Sequence, residues 1–157
     1  MLRKVLFWKA SLAACALALA AFLSASPAAA QDKCTLKDGK GIYIGTFTGF
    51  ITASPNPAFV GPYAAVARVS CDGKGKCAGK GTQSFNGIVV PLVDTGEDVA
   101  VVNEDCTGSI TVNLPVPPFA LHFDVVQTKD GKELFSVQTD AGAVVTGHLI
   151  LISRNPD

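Results

Sequence analysis

Cys71 and Cys77 constrain this chain more tightly than any other feature of its sequence. They enclose Asp72-Gly73-Lys74-Gly75-Lys76, a run of turn-forming residues, and strand-like segments flank them on both sides. The arrangement predicts a β-hairpin closed by a disulfide. Side chains alternate between faces along a strand, so one pairing dictates the rest. With Cys71 opposite Cys77, Val69 faces Gly79, Ala67 faces Gly81 and Ala65 faces Gln83 on the disulfide face. Ser70 with Ala78, Arg68 with Lys80, and Val66 with Thr82 occupy the other face. A disulfide also implies an oxidising compartment.

The N-terminus agrees with export. Arg3, Lys4 and Lys9 form a positive segment, Ala10 to Leu23 is uncharged and apolar, and Ala28-Ala29-Ala30 fits the small-residue cleavage rule. Residues 1–30 therefore read as a cleaved signal peptide, with residues 31–157 as one β-barrel domain in the periplasm or outside the cell. Leu12-Ala13-Ala14-Cys15 resembles a lipoprotein box, but Lys9 leaves too short an apolar run before Cys15. Without the leader the chain has ten basic and thirteen acidic residues and no basic block, so nucleic acid is not expected as a partner. Cys34, Cys71, Cys77 and Cys106 remain. Four cysteines allow three pairings. The hairpin favours Cys71–Cys77, which leaves Cys34–Cys106. No C-x-x-C spacing supports a metal site, and no cofactor motif is present.

Gly and Pro interrupt the domain at short intervals, and almost no segment shows a helical period, which is an all-β signature. Strands are predicted at about 41–50, 63–71, 76–86, 87–93, 97–103, 107–114, 120–128, 133–139 and 143–152, with 76–86 and 87–93 readable as one strand bent at Asn86-Gly87. Short loops between sequential strands favour an antiparallel meander. About eight such strands fit a small closed barrel, because closure removes exposed edges.

The apolar rows should point inward, since their burial drives folding. These rows are Cys106, Gly108, Ile110, Val112 and Leu114; then Leu121, Phe123 and Val125; then Phe135 and Val137. His122 and Asp124 share one outward face, where a solvated surface is a simpler reading than a base and its orienter. His148 reads as a surface or rim residue. Runs 88–93 and 144–152 are apolar on both faces, which raises self-association, or cover by loop 52–62 or the N-terminal segment. No G-x-S-x-G, H-E-x-x-H or P-loop pattern marks a catalytic residue.

Several runs, among them Phe59-Val60-Gly61-Pro62-Tyr63, Ser84-Phe85-Asn86-Gly87 and Asp105-Cys106-Thr107-Gly108-Ser109, resemble a pattern in small secreted bacterial β proteins, mostly uncharacterised. At fold level the meander is similar to calycin and allene-oxide-cyclase-like barrels. That resemblance implies a ligand carrier or an isomerase or cyclase, without matching a catalytic residue. Eight-stranded barrels are either filled by side chains or hold one small ligand. Small inward residues opposite aromatics favour a pocket for a small apolar ligand. Its expected lining is Phe47, Tyr63, Ala65, Ala67, Gln83, Phe85, Phe123 and Phe135.

Overall fold

The computed structural model describes residues 33–93, 96–115 and 118–155. The proposed signal segment 1–30, with its cleavage site near Ala30, lies outside the described residues, as do turn positions 94, 95, 116 and 117. Nine strands follow in order: β1 (Gly41–Ile51), β2 (Gly61–Cys71), β3 (Lys76–Phe85), β4 (Ile88–Val93), β5 (Asp98–Val102), β6 (Thr107–Pro115), β7 (Pro118–Gln127), β8 (Glu133–Gln138) and β9 (Ala143–Ser153). One short 3₁₀ turn spans Pro57–Phe59.

Eight strands close into an antiparallel barrel in the circular order β1-β2-β3-β5-β6-β7-β8-β9. The ninth, β4, is an extra strand. It pairs with the Lys80–Phe85 part of β3, whereas β5 pairs only with Lys76 and Cys77 of the same edge. The possible single bent strand resolves into two, because Asn86 and Gly87 form a tight turn with both residues at positive φ (48° and 86°). Asn and Gly tolerate that backbone region best.

The hairpin register matches its sequence expectation at every position, from Cys71 opposite Cys77 to Ala65 opposite Gln83, including Arg68 opposite Lys80. Cys71–Cys77 and Cys34–Cys106 are both bonded. Together they mark an oxidising, exported environment.

The pattern of exposure identifies the inner face. Tyr43, Ala65, Ala67, Cys77, Phe123, Val125, Val145 and Leu149 are all buried, at alternate positions along their strands. Strand β8 reverses the expectation drawn from its sequence. Phe135 and Val137 face out, 48% and 45% exposed, while Leu134 and Ser136 face in. Register explains the reversal: Ser136 pairs with buried Val125 on one side and with Gly147 on the other, and paired residues share a face. Space explains it too. A Cβ on Gly147 would lie 2.5 Å from both the Phe47 ring and Ser136 Oγ, so no phenyl ring fits where Ser136 sits. Phe135 instead stacks on the His148 ring outside the barrel, with centroids 4.5 Å apart.

One end of the barrel is sealed by the segment before β1. Cys34 is bonded to Cys106, and its backbone N–H donates to Glu104 O. Gln127 Nε2 reaches Thr35 O, and the Arg154 guanidinium donates to the carbonyls of Asp38, Lys40 and Asp130. At the other end, Phe59 of the 3₁₀ turn stacks on Phe85, which in turn contacts Tyr63, each pair 5.0 Å between ring centroids.

Candidate functional site

Between the seal and the aromatic end, the interior contains a cavity of about 90 Å³. The strands position its wall by alternation. The inward rows of β6 and β7 contribute Ile110, Val112, Leu121 and Phe123, and β1 and β9 contribute Phe47 and Leu149. The hairpin side is thin, because Ala67 and Gly79 leave little side-chain volume there. A volume of 90 Å³ exceeds the space of one or two waters, for which roughly 10–15 Å³ each suffices. A second, smaller space of about 40 Å³ lies beneath the seal, beside Leu36 and Gln127.

Of the eight residues expected to line a pocket, Phe47, Tyr63, Ala67 and Phe123 do so. Ala65 and Gln83 are buried on the same inner face but do not border the cavity. Phe85 packs between Phe59 and Tyr63 at the barrel end. Phe135 lies outside the barrel.

Polar groups inside are few. Tyr43 donates its hydroxyl to Gly131 O at 2.8 Å, tying β1 to the turn after β7. The Tyr63 hydroxyl donates to Gln83 Oε1 at 3.3 Å. Burial pushes the Tyr63 phenol up to about 12. Burial also raises Tyr43, more than the nearby positive charge of Arg154 lowers it. Ser136 Oγ is buried and has no hydrogen-bond partner.

Asp98 is the most unexpected of them. It is 4% exposed, borders the cavity and pairs with Cys77 at the narrow β3–β5 junction. Its Oδ1 accepts the Asn113 backbone N–H at 2.8 Å. Nothing local in the sequence marks Asp98 as inward, because its side depends on a pairing with a strand more than twenty positions away. Ser136 escapes for the same reason.

No family model, curated protein or solved structure matches the chain. Its chemistry must therefore be read from its own side chains. Both histidines lie on the outer surface. His122 is bound to Asp140 rather than to Asp124: its Nδ1 lies 2.7 Å from Asp140 Oδ1 and its backbone N–H donates to Oδ2. Burial raises the Asp140 carboxyl, but hydrogen bonds from His122 and Gln138 outweigh it and hold the group below the usual carboxylate range. His148 Nε2 lies 3.0 Å from Glu133 Oε2. Among the described residues, no three His, Cys, Asp or Glu side chains converge as metal ligands.

Proposed function

We propose that this chain is an exported, calycin-like carrier that holds a small apolar ligand inside its barrel. Signal-peptide cleavage near Ala30 would deliver it to the periplasm or the medium, as the N-terminal pattern and the disulfides support. The observation that carries the reading is the cavity itself, with walls of Phe47, Ile110, Val112, Leu121, Phe123 and Leu149. Transfer of an apolar molecule from water into such a space is favourable, and dry apolar cavities take up xenon and small hydrocarbons. Binding suits these walls better than catalysis. An isomerase or cyclase needs a titrating group in contact with its substrate; the two histidines face outward, and Asp98, Tyr43 and Tyr63 are the titrating groups on a wall that is otherwise mostly apolar.

Xenon NMR on the purified domain tests the carrier. Saturable uptake, lost when Ala67→Leu fills the thin wall, is the expected result. Absence of saturable xenon or n-pentane binding in the wild type would remove the reading.

A second reading, self-association, has its own observation. The outer face of β2, β1, β9 and β8 exposes Val66, Ile44, Phe50, Val144, Ile150 and Phe135. Across these four strands, Arg68, Ile44, Ile150 and Glu133 form one row. A two-fold axis between the isoleucines would set Arg68 of each copy against Glu133 of the other, which is the self-complementarity an isologous dimer needs. Sedimentation should then show a dimer that Ile150→Glu dissociates; a strictly monomeric wild type would exclude it.

A further inference from the structure

We infer that Ser136 selects the ligand: the cavity takes a small aliphatic molecule whose carbonyl oxygen accepts a hydrogen bond from the Ser136 hydroxyl. The inference rests on the carrier reading and adds the ligand's polar group to it. Among the described residues, Ser136 Oγ is the one buried side-chain oxygen or nitrogen without a hydrogen-bond partner. A buried hydroxyl left unpaired forfeits the bonds that water would give it and gains nothing in return. Such a group in a native interior calls for a reason.

Size is half of that reason. Ser136 Oγ lies over Gly147, 2.5 Å from where a Cβ there would stand, and the Phe47 ring is equally close. Only a small side chain fits. Alanine would fit as well and would bury no polar atom, so size does not account for the hydroxyl. The protein's own groups do not account for it either. The cross-strand neighbours of Ser136 are Val125 on β7 and Gly147 on β9, and beyond Gly147 the same row continues into Phe47. Two positions along β8, Leu134 is apolar on one side, and on the other Gln138 donates its side-chain N–H to Asp140 Oδ2. A water molecule is a poor partner, since a buried water needs two to four polar contacts and this row offers none beyond the serine.

A ligand meets the need. Ser136 borders the cavity of about 90 Å³, and its hydroxyl turns on a single bond with no partner to hold it. Rotation carries the proton from the niche over Gly147 toward the cavity. An apolar body then packs against Phe47, Leu134 and Leu149 while its polar atom meets the serine. A carbonyl oxygen suits the place better than a hydroxyl or an amine. It accepts the serine proton and brings no donor of its own to be buried in an apolar wall.

A purely packing role for Ser136 is the competing explanation, and the choice of probe separates the two. Methyl ethyl ketone and isopentane share one heavy-atom skeleton, with the ketone oxygen standing where the alkane has a methyl group. Both are titrated by ligand-observed NMR into the wild type and into Ser136→Ala. The variant should bind the ketone about fivefold more weakly than the wild type, the effect of one net hydrogen bond, and the alkane within about twofold of it. The carbonyl carbon of the bound ketone should resonate downfield of its position in hexane, and return to that position in Ser136→Ala. Ketone affinity that Ser136→Ala leaves unchanged would overturn the inference and leave the apolar carrier standing. So would equal weakening of both probes, or binding of the alkane alone. If neither probe binds, the carrier reading falls and this inference falls with it. Should Ser136→Ala fail to fold, the wild-type carbonyl resonance decides by itself, and the hexane position would overturn the inference.

Discussion

Individual side chains decide whether the barrel is hollow. Gly147 is one: the Phe47 ring and Ser136 Oγ already occupy the space a Cβ would take. Gly147→Ala should therefore destabilise the fold by about 1–3 kcal/mol through overpacking, measurable by denaturant unfolding. Tyr43 and Tyr63 are another such pair, and they are the chain's only tyrosines. Their phenols are raised above 10, Tyr63 to about 12. A raised folded-state value means that the neutral form is favoured by folding. Their contribution is fully present below about pH 10 and is lost as pH rises through the folded values. An ultraviolet titration should show less tyrosinate at pH 10 in the folded protein than free tyrosine gives, followed by ionisation coupled to unfolding. Normal titration near 10 would contradict the buried placement. Tyr63, Ala67 and Phe123 were legible as cavity residues because parity from the hairpin, or an unbroken apolar row, determines their side, whereas Phe47 was expected inside only for its aromatic bulk. Phe135 was not, because in Leu134-Phe135-Ser136-Val137 both faces carry an apolar residue and size alone misleads.

The turns and disulfides act at the scale of elements. Three turns at the sealed end use one device, an aspartate accepting backbone N–H groups that follow it. Asp72 takes those of Lys74 and Lys76, Asp105 that of Thr107, and Asp130 that of Lys132. The backbone bond from Lys74 leads in lowering Asp72, the side-chain bond from Thr107 in lowering Asp105, and the side-chain bonds from Lys132 and Thr128 in lowering Asp130, so all three carboxyls lie below their ordinary range. Such chemistry is local, which is why turn positions and strand boundaries were readable within a few residues. The disulfides differ in span. Cys34–Cys106 closes a separation of 72 residues and Cys71–Cys77 one of 6. In the chain-entropy model these are worth about 4.4 and about 2.3 kcal/mol. Replacing Cys34 and Cys106 with Ser should thus lower thermal stability more than replacing Cys71 and Cys77. The reverse order would mean that the hairpin bond acts chiefly in the native state, by holding register.

The molecule as a whole has one thin seam. β1 pairs with β2 over eleven residues, whereas β3 and β5 close the barrel through two. Amide exchange should be fastest in β4 and β5 and slowest in β1 and β9, since local opening follows the weakest ladder. Uniform protection around the barrel would show closure to be tighter than the pairing suggests. The apolar outer rows of 88–93 and 144–152 remain uncovered among the described residues, with Val89 at 67% and Val144 at 63% exposure. The early segment seals a barrel end and does not cover those rows. The sequence by itself determined the strands, their turns, the hairpin register and the disulfide pairing, because each follows from alternation, turn chemistry or elimination among four cysteines. Only the tertiary structure decided that β4 stands outside the ring, that Phe135 faces out, and that Asp98 and Ser136 face in. Those outcomes depend on which distant strands pair and on how much room an opposite wall leaves, and neither is encoded in any short stretch of chain.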